Sequence, residues 1–183
     1  MLPANHRVAE DARQATRHLL DLGHRRLAFV SYAAHSHSPD ARVRGFREAL
    51  EERGIAAKTG PVFSVGVGPE ELAAWLQQTV TVRSETSPTA VVAYDDRQAL
   101  ALVKAAQAQG LEIPGDLSVV GFDDIPMASL WEPPLTTIRM PMQEMGSMAF
   151  RRLLERIERP DLPPMKMMLP VELVVRGSTA PPR

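Results

Sequence analysis

Short apolar runs alternate with longer amphipathic stretches along this chain, and the alternation lays out the elements. Ala90–Ala93 and Leu117–Val120 are continuously apolar and bounded by turn residues, the pattern of strands buried on both faces. Between them Ala99, Leu102, Val103 and Ala106 recur at helical spacing, and Gly110 and Pro114 mark the exit. That is strand–helix–strand, the unit of a parallel sheet. A right-handed crossover sets the two strands side by side with their carboxyl ends on one edge. Each run leads into an acidic pair, Asp95-Asp96 and Asp123-Asp124. Ligands of open parallel sheets bind at that edge, so both pairs are expected to face one crevice.

The same reading extends in both directions. Asp11 is placed to cap a helix carrying Ala12, Ala15, Leu19 and Leu20, stopped by Gly23. A strand follows at Leu27–Val30, then a helix from about Pro39 to Arg53 with Val43, Phe46, Ala49 and Leu50 inward. Residues 61–65 are the next strand candidate. Pro69-Glu70-Glu71 opens a helix with Leu72, Trp75, Leu76 and Val80 as its buried stripe. After Asp124, a loop or single turn carries Met127, Leu130 and Trp131, and a strand is predicted at Thr136–Met140. Pro141 starts a long amphipathic helix with Met142, Met145, Gly146, Ala149, Phe150, Leu153, Leu154 and Ile157 on its apolar face. Residues 159–164 form a linker, and Val171–Val175 is the last strand. The fold class expected is α/β: a doubly wound, mainly parallel sheet with helices on both faces.

Composition changes this picture by exclusion. With 183 residues and 44% hydrophobic content the chain can bury one sizeable core, or a large and a small one. It has no cysteine, so thiol catalysis, zinc–thiolate sites and disulfides drop out. A net charge of −1 and no basic block argue against a nucleic-acid grip by this chain alone. The N-terminal residues lack the apolar run of a signal peptide, which sets a cytoplasmic expectation. His35 and His37, with no third ligand at hand, are expected to be loop residues, and no metal or cofactor is called for.

Four segments in order, PTAVVAYDDRQAL, GDLSVVGFDD, PPLTTIRMPMQEMGSMA and LPVELVVRGST, resemble the effector-binding core of the lac repressor/galactose repressor family. HLLDLGHRRLAFV and RVRGFREALEERG fit the earlier part of the same pattern, so the likeness runs from about Asp11 to Thr179. The resemblance implies a periplasmic-binding-protein-like fold, mostly the second subdomain of the core. The DNA-reading helix-turn-helix headpiece and nearly all of the first subdomain are absent from the chain by that pattern. It implies three parts: 1–140 as the second α/β subdomain, 141–164 as a crossover helix and linker of the first, and 165–183 as a returning strand and tail. The function implied is sensing of a sugar or similar small effector by a homodimeric transcription regulator, without catalysis.

The resemblance also assigns residues. Asp123, first acid of GFDD, accepts hydrogen bonds from ligand hydroxyls, as an ionised carboxylate can. Asp124 is expected to be structural. Asp95 stands where the family often has a ligand-touching Asn, with Asp96 as the helix cap; Asp before a helix is itself a good cap, so both readings of Asp95 stay open. An Asp at position 95 accepts only, which favours a donor-rich or cationic ligand. Arg42 falls at a position whose guanidinium reaches the ligand, or is an exposed helix arginine. Met140 replaces a frequent polar contact at the hinge between subdomains. Leu100, Lys104, Met127, Leu130 and Trp131 match dimer-interface positions. The apolar face of the long helix, left bare by a missing subdomain, would forfeit on the order of 10 kcal/mol, so the helix is expected to dock on a second copy or swap between copies. Two rivals stand beside this reading: a Mg²⁺-dependent phosphoryl-transfer or response-regulator-like protein using the acidic cluster, and a periplasmic sugar-binding protein. The first lacks a phosphate-cradling Gly-Lys-Ser/Thr loop.

Overall fold

The structure is a computed structural model that describes residues 4–32, 41–56 and 60–183. Strands β1 (Leu27–Ser31), β2 (Val62–Ser64), β3 (Ala90–Ala93), β4 (Ser118–Asp123), β5 (Thr136–Arg139) and β6 (Glu172–Val174) form one sheet in the order β2-β1-β3-β4-β5-β6. Neighbours pair in parallel, except that β6 runs antiparallel to β5. The connections hold helices α1 (Ala4–Asp21), α2 (Ala41–Glu52), α3 (Pro69–Leu76), α4 (Asp96–Ala108), α5 (Pro126–Leu130) and α6 (Met142–Glu158). The expected α/β doubly wound, mainly parallel sheet is the architecture found.

The apolar strands are apolar throughout because both faces are covered. Alternate residues divide between two cores. Ala28, Val30, Val91, Ala93 and Val119 pack with α3, α4 and Ala128 of α5. Leu27, Phe29, Ala90, Val92, Val120 and Phe122 pack on the other face with α1 and α2. Of the predicted inward residues, Phe46, Ala49 and Leu50 of α2, Leu72, Trp75 and Leu76 of α3 and Val80 just after it are buried, and Val43 is half-buried.

One helix start differs. Helix α1 begins at Ala4, so Asp11 is not its cap but lies mid-helix, buried. The cause is close packing that begins before Asp11. A Cβ on Gly45 of α2 would stand 1.8 Å from the Ala9 carbonyl oxygen, so only glycine lets the two helices approach there. Ion pairs of Arg13 with Glu48 and of Arg17 with Glu52 fasten the same seam.

Helix α6 has the amphipathic pattern its sequence promised but buries none of its residues. Met142, Phe150, Leu153 and Ile157 are each more than half exposed. His35, His37 and the start of the α2 segment at Pro39 lie outside the described residues.

Candidate functional site

Parallel pairing of β3 with β4 matches Val92 to Val120, so the residues that follow, Asp95 and Asp123, emerge on one edge of the sheet. An open hollow of about 1160 Å³ lies there. Asp95, Arg97, Asp123 and Asp124 line one side, and Arg139, Met140 and the first turns of α6 line the other. Met140, the expected hinge position, is therefore part of the wall.

Asp123 is the last residue of β4 and has φ of 102°, followed by Asp124 at φ 53°. Consecutive non-glycine residues in that region are costly and persist only where their surroundings hold them. The reversal ends the strand and turns the two carboxylates to different partners. Asp123 lies 3.7 Å from Arg42 Nη2, beyond hydrogen-bond reach, and its side chain is 36% exposed. Burial raises its pKa; Arg42 opposes that shift and Asp95 adds to it. Asp124 instead accepts from Arg139 Nε and Arg176 Nη2, both at 2.6 Å. Burial raises its pKa too, but these two guanidinium groups outweigh it and hold the carboxyl below the usual range.

Arg42 does not line the hollow; it reaches the site through Asp123. Its guanidinium lies over the rings of Tyr94 at 4.5 Å and Phe122 at 4.7 Å, and Nη1 donates to the Tyr94 carbonyl at 2.6 Å. Such a clamp fixes a planar cation beside a carboxylate and fits poorly with a mobile surface arginine.

At the other pair the order of roles departs from the expectation. Asp95, the first member, is the N-cap of α4: its side chain accepts from Gln98 N at 2.8 Å. Asp96, expected to cap, is the first residue of α4 and fully buried. It accepts from Thr137 Oγ1 at 2.6 Å and from Ile125 N at 2.9 Å. Because α4 starts at Asp96 itself, each acid moves one step inward. Capping does not exhaust Asp95, since the Tyr32 hydroxyl also donates to its two oxygens at 2.8 and 2.9 Å. Burial and that bond raise the Tyr32 pKa, so the phenol keeps its proton.

Tyr32, Arg139 and Arg176 were not singled out from sequence, and Asp96 was expected only to cap. Tyr32 directly follows β1 on the same edge, and Arg139 pairs in register with Asp123, so strand alignment alone carries a signal for both. Arg176 carries none; only the return of β6 beside β5 brings it there. Among the residues matched to a dimer interface, Met127 and Leu130 are 47% and 78% exposed and Lys104 is exposed. Trp131 is half-buried against the core, and Leu100 is almost wholly interior at 7%.

Residues 16–179 match the family model of the periplasmic binding protein-like domain. The chain belongs to that family. Within this periplasmic-binding-protein-like family it is similar to the HTH-type transcriptional regulator DegA of Bacillus subtilis, at 35% identity over 99% of this chain and 54% of DegA. Among solved structures it is similar to a LacI family transcriptional regulator from Enterococcus faecium with bound ribose. There the TM-score is 0.84 at 30% identity, covering 95% of this chain and 63% of that one. A dimeric Lac repressor matches with a TM-score of 0.79 at 29% identity, over 96% of this chain and 63% of that one. The resemblance to the lac repressor/galactose repressor family therefore stands. This periplasmic-binding-protein-like chain spans about half the length of the curated relatives it matches. Among the described residues, no helix is long and apolar enough to cross a membrane.

Proposed function

We propose that this chain is the ligand-sensing domain of a bacterial transcription regulator, taking a sugar-like small molecule at Asp123 and Asp95, with Arg42 acting through Asp123. One observation carries the reading. Asp123 is held in an unusual backbone conformation at the open edge of a parallel sheet, beside a clamped guanidinium that stops short of hydrogen-bonding it. Its carboxylate keeps acceptor capacity for the vicinal hydroxyls of a polyol, and Asp95 stands ready for a further donor. The ribose held by the Enterococcus faecium regulator and the cellobiose held by the related regulator CelR belong to that ligand class.

On this reading the domain senses and does not catalyse, and it works in the cytoplasm. DNA is contacted through a headpiece outside this chain. Among the described residues, no three His, Cys, Asp or Glu side chains group as metal ligands. The parts divide as 1–140 for the second subdomain, 141–164 for a crossover helix and linker proper to a first subdomain, and 165–183 for the returning strand and tail. Met127, Leu130, Trp131 and Lys104 form the homodimer surface, with Leu100 adding only its outer edge.

Calorimetric titration with a panel of neutral sugars, ribose and cellobiose included, tests the site. Binding of at least one sugar that falls tenfold or more in Asp123→Asn is the expected result. Equal binding by both proteins overturns the assignment. Sedimentation at micromolar concentration tests the dimer: a single monomeric species contradicts it.

A further inference from the structure

The four acids at the crevice edge differ most at the one farthest from solvent. Asp96 has no exposed surface, yet it is a carboxylate at the meeting point of three elements. One oxygen accepts from Thr137 in β5 and the other from the Ile125 amide at the start of α5. The third element, β4, yields space for it. A Cβ on Gly121 would stand 2.3 Å from Asp96 Oδ1, so β4 carries no side chain where the carboxylate sits. The Ile125 amide is two residues past Asp123. Asp123 and Asp124, directly before it, both have positive φ, so the bond to Asp96 fixes one end of the reversed backbone.

We propose that Asp96 is a positioning residue: its buried carboxylate clamps the β4–α5 turn to β5, presents Asp123 to the crevice, and makes that presentation respond to its own protonation. The inference rests on the effector-sensing reading only in naming Asp123 as the group presented; the clamp is testable with no ligand. An aliphatic side chain at 96 could fill the space but would leave the Thr137 hydroxyl and the Ile125 amide without acceptors.

The charged groups that face Asp96 come from the end of β4. They are Asp123 and Asp124, the latter already paired to Arg139 of β5 and to Arg176. From β5 and α5 come the Thr137 hydroxyl and the Ile125 amide. Burial is the largest influence and raises the Asp96 pKa to about 6; the two bonds lower it, and Asp123 and Asp124 raise it further. Protonation keeps a carbonyl oxygen for Ile125 and turns the Thr137 contact around, with the acid hydroxyl donating. The bonds persist but a negative charge leaves the floor beneath Asp123. The crevice then loses a repulsion and Asp123 is more easily ionised.

The test is a ¹H–¹⁵N pH titration of the full chain from pH 4.5 to 8, following the amides of Asp123, Asp124 and Ile125. These three should share a component with a midpoint near 6. In Asp96→Asn, which mimics the protonated acid, that component disappears. In Thr137→Val, which removes a bond to the ionised form, it moves to higher pH. In Asp123→Asn it persists at somewhat lower pH, which separates it from titration of Asp123 itself. A flat wild-type profile, or a component that survives Asp96→Asn, overturns the proposal. Failure of the sugar panel to bind would leave these profiles unchanged, so the two readings fail separately.

Discussion

Two acidic pairs end neighbouring strands, and the molecule uses them in the same divided way. At the end of β3, Asp96 turns inward to Thr137 and Ile125 while Asp95 stays at the mouth, capping α4 and accepting from Tyr32. At the end of β4, Asp124 is bound by Arg139 and Arg176 while Asp123, among the described residues, keeps a long contact with Arg42. Asp96 and Asp124 anchor the edge, Asp124 lining the hollow as well, while Asp95 and Asp123 keep open acceptor oxygens toward it. The lesson is that stability and recognition have been assigned to adjacent residues, so substitutions one position apart should fail in different ways.

The inner acids should give the largest effects on folding. Asp96→Ala orphans a hydroxyl and an amide, at about 1–3 kcal/mol each, so it should be roughly 2–6 kcal/mol less stable than Asp96→Asn. Urea unfolding at pH 7 measures this, and equal midpoints for the two variants would break the distinction between inner and outer acids. The pH dependence follows with its sign. The folded pKa of Asp96, about 6, lies above the unfolded value near 3.8, so the native state binds the extra proton in between. Its contribution is fully present below pH 4 and is lost as pH rises through 6, by about 3 kcal/mol. Asp96→Asn should remove that part of the profile. Asp124 behaves oppositely, since its pKa is lowered: its ion pairs stabilise at neutral pH and weaken as pH falls below 4. Asp124→Asn should cost roughly 1.5–3 kcal/mol at pH 7 by the same unfolding assay. The outer acids should scarcely register there. Asp95→Asn and Asp123→Asn are expected within about 0.5 kcal/mol of wild type, because Asn caps as well as Asp and Asp123 holds no short bond among the described residues.

Much of this edge was legible in the chain. The apolar runs at Ala90 and Leu117, each leading to an acidic pair, placed β3, α4 and β4 and set both pairs on one side of the sheet. Arg42 could be brought to Asp123 by resemblance, though its stacking between Tyr94 and Phe122 depends on two elements far apart in sequence. What could not be read was which acid of a pair does what. That depends on the single residue at which α4 starts, and a propensity for capping is shared equally by Asp95 and Asp96. Asp11 shows the same limit: a good cap residue was overruled by the close approach of Ala9 to Gly45. The amphipathic face of α6 was plain in the pattern, but a pattern names no partner, and among the described residues that face stays exposed.

The central claim is that Asp123, backed by Arg42 and flanked by Asp95, receives the effector. Chemical-shift mapping by NMR, with the sugar panel titrated into wild type and Asp123→Asn, tests it most directly. Saturable shifts centred on Asp95, Asp123 and Arg42 in wild type, and lost in the variant, are predicted. Saturable shifts gathered elsewhere on the surface and unchanged in Asp123→Asn would contradict it.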